Sequence, residues 1–196
     1  MVEISHRVPE PAELAAFRTG HPSLGPADFD SPGFQPIKRQ IKRKLHQDQS
    51  GLCAYCESRL DDDDGQVDHI KPRRGAHGHP NLTFVYTNFA HSCVSAKHCG
   101  QKKGDRLLPI EPRSGCNARF TLSTDGFIDA NRNQSLDEQK EARITRDLLG
   151  LNDPDLVRRR KEWLESALSY FEDFQAMYPA FIDNAPFRHT LKRLLP

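Results

Sequence analysis

Residues 53–105 read CAYCESRLDDDDGQVDHIKPRRGAHGHPNLTFVYTNFAHSCVSAKHCGQKKGD and hold four of the chain's five cysteines and five of its nine histidines. Such crowding of metal-ligating residue types makes this stretch the one from which to read the fold. Cys53 and Cys56 are separated by two residues, which lets both thiolates reach one ion from a tight turn. Cys93 and Cys99, with five residues between them, form a looser second pair, in which His98 could replace one thiol. Two such turns brought together complete the tetrahedral set that Zn²⁺ favours, and soft thiolates argue against Mg²⁺ or Ca²⁺ at this position. An ion with all four positions filled by protein holds no water, so this zinc is expected to be structural. Cys116 is left over as a core or loop thiol.

Between the pairs runs Val67-Asp68-His69-Ile70-Lys71-Pro72, followed by Asn88. Neighbouring side chains on a strand point to opposite faces, so Asp68 and His69 are suited to different tasks. One can hold a divalent cation at a phosphate while the other takes a proton from an attacking water.

Outward from this stretch, Ile37, Ile41 and Leu45 repeat every four positions and predict a helix over 34–48, with basic residues covering its other faces. Residues 1–33 are rich in Pro and Gly and read as an irregular arm with one short helical candidate at Ala12–Arg18. The run Asp61–Asp64 with Gly65 reads as a turn, Gln66–Ile70 as a strand stopped by Pro72, and Leu82–Tyr86 as a second strand. Asn88 is expected to begin a short turn or helix towards Cys93. Phe120–Leu122 and Phe127–Ile128 predict a hairpin across Asp125-Gly126. Ser135 and Glu138 form a capping box for a helix closed by Gly150, and Asp153-Pro154 opens another that runs to Pro179. The apolar stripe of that last helix, from Leu156 through Trp163 and Phe171 to Phe174, suits either a core or a partner-binding face. The resulting division is an arm at 1–33, a zinc-bearing core at 34–110, and a hairpin and helical region at 111–196 packed on it.

Composition excludes some classes. With 36% apolar residues, 28% charged and a mean hydropathy of −0.71, the chain is expected to be soluble. No run approaches the roughly 18 apolar residues of a membrane span, and Met1–His6 lacks the profile of a signal peptide. A cytoplasmic location follows, where paired cysteines read as metal ligands before disulfides. The net charge of +1 says nothing of partners, but its distribution does. Residues 1–120 carry 17 Lys and Arg against 14 Asp and Glu, whereas 121–196 carry 11 against 13. Clusters at Lys38–Lys44, at Lys71, Arg73 and Arg74, and at Lys102, Lys103 and Arg106 could neutralise phosphates.

Taken together, Cys53-x2-Cys56-Glu57, Asp68-His69-x2-Pro72, Asn88, Ser92-Cys93 and His98-Cys99-Gly100-x2-Lys103-Gly104-Asp105 resemble the zinc-bearing HNH endonucleases. More narrowly, they resemble the PtuB subunits of Septu anti-phage systems and their retron-associated relatives, over roughly residues 36–175. The resemblance implies an α+β chain with a ββα-metal core and a four-cysteine zinc knuckle, flanked by helices. It further implies His69 as general base, Asp68 as ligand of a catalytic Mg²⁺ or Mn²⁺, and Asn88 as brace of the loop carrying the base. Gln101 stands where that family commonly has His or Asn. It can offer a carbonyl oxygen to a hard cation, with His91 and His98 as nearby substitutes. Lys71, Arg73, Lys102 and Lys103 are expected to hold flanking phosphates of DNA or RNA, which positions a strand without reading its bases. The resemblance also implies a PtuA-type ATPase partner. Its docking surface is expected on the helix at 154–178, or on the segments 1–33 and 180–196. The competing reading is a zinc-stabilised adaptor that has lost catalysis.

Overall fold

The computed structural model describes residues 1–173 and 177–192, without the side chains of residues 172, 173 and 178. These residues form a mixed α and β structure with two small antiparallel sheets among them. The first half runs through α1 (Ala12–Gly20), α2 (Gln35–Asp48), β1 (Gln66–His69), β2 (Phe89–Ser92) and α3 (Cys99–Lys103). The second runs through β3 (Phe120–Leu122), β4 (Ile128–Ala130), α4 (Leu136–Leu149), α5 (Pro154–Asp173), α6 (Tyr178–Asn184) and α7 (Arg188–Leu191).

Helix α2 forms because Ile41 and Leu45 bury one stripe while Lys and Arg keep the rest wet. Its stripe joins Leu14, Phe29, Phe34, Phe84, Tyr86 and Phe89 in one apolar cluster. The cysteine turns, α4 and α5 enclose the other. The second half follows its capping signals closely. Ser135 and Glu138 close a reciprocal capping box, Gly150 ends α4 in the left-handed region at φ 59°, and Pro154 opens α5. Gly126 lets the β3–β4 turn rest on α5, since a Cβ there would lie 2.3 Å from the Val157 carbonyl oxygen. Among the predicted stripe residues of α5, Phe174 lies outside the described residues.

Two expectations are corrected. Leu82–Tyr86 is not a strand: Val85 N donates to Leu82 O and Asn88 N to Val85 O, so 3₁₀ turns satisfy this backbone locally. The strand that pairs with β1 lies further on, in register Gln66 with Ser92 and His69 with Phe89. The residues read as an arm are woven into the body. Val2 N donates to Ala54 O, Ile4 N to Pro112 O, and Phe29 is 3% exposed. α1 occupies Ala12–Gly20, two residues longer than its candidate. Among the described residues, no helix is long and apolar enough to cross a membrane.

Candidate active site and metal centre

The two cysteine pairs converge. All four sulfur atoms lie within 4.8 Å of one another. Cys53 Sγ is 3.7 Å from the sulfurs of Cys93 and Cys99, and Cys56 Sγ is 3.9 Å from that of Cys93. A tetrahedral ion with metal–sulfur bonds of about 2.3 Å would hold its sulfurs about 3.8 Å apart, so the spacing suits a single ion at the centre. His98 Nδ1 sits 3.2 Å from Cys99 Sγ and 3.5 Å from Cys93 Sγ, and packs beside a set already complete with four thiols.

Among the described residues β1 pairs only with β2, which leaves its other edge without a strand. Along that edge runs a groove of about 530 Å³. Gln35, Lys38, Arg39 and Lys42 of α2 form one wall, Gly100, Gln101 and Lys103 of α3 the other, and β1 the floor. Alternation along the strand sends His69 towards the α2 side and Asp68 towards the α3 side, yet both line the same groove because it straddles the free edge.

His69 is 6% exposed, between the rings of Phe29 at 4.4 Å and Phe89 at 5.2 Å. Its Nε2 lies 2.9 Å from the Thr83 carbonyl oxygen, which can only accept. The proton of neutral His69 therefore sits on Nε2, and Nδ1 carries the free lone pair. Burial lowers the pKa of the ring to about 4, so His69 is neutral at physiological pH.

Asp68 is held by two donors on one oxygen. Tyr55, inside the first cysteine turn, donates its hydroxyl to Oδ2, and Lys103 Nζ stands 3.2 Å from the same atom. Burial, then the neighbouring Asp68 charge, raises the Tyr55 pKa and keeps the phenol a donor. Burial also raises the pKa of Asp68 itself, against the pull of Lys103. A cation beside it would hold it ionised, and a carboxylate has acceptor capacity beyond those two bonds. Oxygen donors from Asp68 and Gln101 match a hard divalent cation, as thiolates do not. Asn88, 2% exposed, grips the chain just after His69. Its Oδ1 accepts from Lys71 N at 2.9 Å, and its Nδ2 donates to Lys71 O at 3.0 Å and Leu82 O at 3.3 Å.

At Gly100, α3 passes close against β1. A Cβ there would stand 3.0 Å from Asp68 Cγ and 2.9 Å from Gln66 Nε2. Gln66 can swing away, but Asp68 is pinned by Tyr55 and Lys103. Gly100→Ala should therefore cost about 1–3 kcal/mol as overpacking. Urea denaturation checks it, and an unchanged midpoint would mean that Asp68 yields freely.

Several expectations about individual residues change. Lys103 is 1% exposed, donating to His69 O at 2.7 Å as well as facing Asp68, so it braces the floor rather than meeting an external phosphate. Lys102 is exposed on another side of α3, beside Gly150, because adjacent helical residues diverge by about 100°. Lys71 pairs with Glu111 at 3.7 Å outside the groove. Arg73 does line it. His91 and His98 do not: His91 is buried on the α2 side with Nε2 2.7 Å from Asp64 O, and His98 stands at the cysteines. Gln101 does line the groove. Sequence reasoning missed Tyr55, for which no signal exists. It named the Lys38–Lys44 cluster as able to neutralise phosphates without placing Lys38, Arg39 and Lys42 at a groove, although Lys38 and Lys42, four residues apart, share one helical face.

No family model matches the chain. The HNH endonuclease named for retron Vc95 of Vibrio cholerae serotype O1 biovar El Tor is 37% identical over 204 aligned positions, which cover 99% of each protein. Identity at that level over the whole length, on a chain with a cysteine cluster able to hold a metal and an Asp-His pair in one basic-walled groove, makes this protein a member of the HNH endonuclease family, a nuclease hydrolase.

Proposed function

We propose that the protein is a metal-dependent endonuclease in which residues 34–110 form a ββα-metal core. The observation that carries this reading is the arrival of Asp68 and a neutral, Nε2-protonated His69 in one groove from opposite faces of β1. Cys53, Cys56, Cys93 and Cys99 hold a structural Zn²⁺. His69 Nδ1 accepts the proton of the attacking water, and Asn88 fixes the backbone next to that base. Lys103 and Tyr55 orient Asp68. Asp68 and Gln101 are the residues that would hold a catalytic Mg²⁺ or Mn²⁺, which supplies charge neutralisation at the scissile phosphate and the leaving oxygen. Arg73, with Lys38, Arg39 and Lys42, holds flanking phosphates of DNA or RNA.

In the cell we infer a cytoplasmic effector of anti-phage defence, as the similarity to PtuB-like nucleases implies, working beside a PtuA-type ATPase. Incubating the purified chain with labelled DNA and RNA, with and without the neighbouring ATPase and with Mg²⁺ or Mn²⁺ titrated, tests the reading. Cation-dependent cleavage is expected. A non-catalytic adaptor, the alternative that Gln101 favours, would keep its zinc and cut nothing at any cation concentration. Free cleavage by the chain alone, with no association, would remove the ATPase from the scheme.

A further inference from the structure

The 3₁₀ turn Asp28–Asp30 lays Phe29 and Asp30 against the mouth of the groove. Asp30 Oδ1 is 3.2 Å from Lys38 Nζ, and Oδ2 is 2.6 Å from Arg73 Nη2 and 3.6 Å from Arg74 Nη2. One carboxylate thus presents two anionic oxygens to cations from two separate elements. Lys38 and Arg73 also lie over the Phe29 ring, at 4.0 and 4.8 Å from its centroid, and the same ring packs against His69. The cation pair is therefore one aromatic ring away from the base. The Asp30 side chain is 52% exposed, whereas those of Lys38 and Arg73 are 20% and 15% exposed. Lys38 and Arg73 are held in the wall, Arg74 is 46% exposed beside it, and the anion between them is the most accessible partner.

A phosphodiester carries the same single charge on the same kind of oxygen pair, and a guanidinium with an ammonium suits either. We propose that Lys38, Arg73 and Arg74 form a phosphodiester-binding subsite for the strand next to the scissile phosphate. Asp30 occupies it in the free protein and is displaced by the nucleic-acid backbone. This rests on the groove being the active site, as above. Asp30 then sets a threshold for substrate entry, since two anions cannot share the cations without repulsion.

The sign of one measurement separates a displaceable occupant from a mere anchor. Fluorescence anisotropy of a labelled oligonucleotide, single-stranded or duplex, is followed across salt with the zinc-loaded full chain and no Mg²⁺ or Mn²⁺. Asp30→Asn should tighten binding about three- to eightfold near 0.1 M salt and steepen the log–log salt slope by about 0.7–0.9, one added phosphate contact. Lys38→Gln and Arg73→Gln should each weaken binding by a similar factor, and by more in the Asp30→Asn background. Asp30→Ala and Asp30→Ser are made alongside. Binding no tighter than wild type in every folded variant overturns the proposal. So does failure of all three to fold, which would make Asp30 an architectural anchor. Because binding is read without cleavage, these outcomes are independent of whether His69→Ala still cuts, the result that would instead remove the active-site reading.

Discussion

Cys53→Ser should yield a chain that binds far less than one zinc and melts without a cooperative transition. Cys53 is fully buried, and its sulfur is the one within 3.7 Å of both Cys93 and Cys99. The ion would tie the first turn to the end of β2 and the start of α3, closing a loop that contains the whole groove floor. Structural zinc contributes about 10–16 kcal/mol of apparent binding free energy, comparable with or above the 5–15 kcal/mol net stability of a domain. A serine hydroxyl is a hard, protonated oxygen and replaces little of that. Elemental analysis of wild-type protein prepared without added metal should find about one zinc per chain, and near-UV circular dichroism should report the lost packing in the variant. Wild-type protein without zinc, its cysteines all freely reactive while folded, would sink the assignment. A Cys53→Ser chain that melts normally would do the same.

The second large effect is on chemistry. His69→Ala should lower cleavage by about 10²–10⁴-fold while zinc content and the far-UV spectrum stay unchanged. Wild-type cleavage by this variant would show that the base lies elsewhere. The pH dependence follows from the same burial. The folded-state pKa of about 4 lies below the ordinary 6.5, so the unfolded chain binds the proton more readily. The stability of the neutral ring is complete above about pH 6.5 and is lost as pH falls through 4, roughly 3 kcal/mol in all. Urea denaturation at pH 7 and pH 4.5 should show this loss, and His69→Phe should lack that share of it. With His69 as the proposed base, cleavage should not decline on its account until pH approaches 4.

Much of this was readable from residues next to one another. The spacing of Cys53 and Cys56 carries the first half of the metal set, because two thiolates on one tight turn need no distant help. Ser135 with Glu138, Gly150, and Asp153-Pro154 set the bounds of α4 and the start of α5, since caps are bonds between near neighbours. Alternation along β1 separates Asp68 from His69 in any strand.

What only the tertiary structure decided depends on which faces meet. Leu82–Tyr86 has the composition of a strand, but the amides of Leu82, Thr83 and Val85 bond three residues back, and the carbonyls of Thr83 and Phe84 are spent on His69 and Arg18. Which lysines face the groove could not be read from charge clusters. Lys102 and Lys103 are adjacent in sequence, yet α3 turns one out beside Gly150 and buries the other against Asp68. Conversely, Lys38 and Asp30, read as part of a basic helical cluster and of an irregular arm, meet Arg73 at the mouth of the groove. Sequence alone determined the cysteine ligand set, both ends of α4, the start of α5 and the Asp-His pair, all properties of local spacing, whereas the end of α5 at Asp173 and a separate α6 through Pro179 were not read from it. The groove, the tautomer of His69, the double hold on Asp68 and the seat of Asp30 between Lys38 and Arg73 arise from long-range contacts, whose partners no local pattern names.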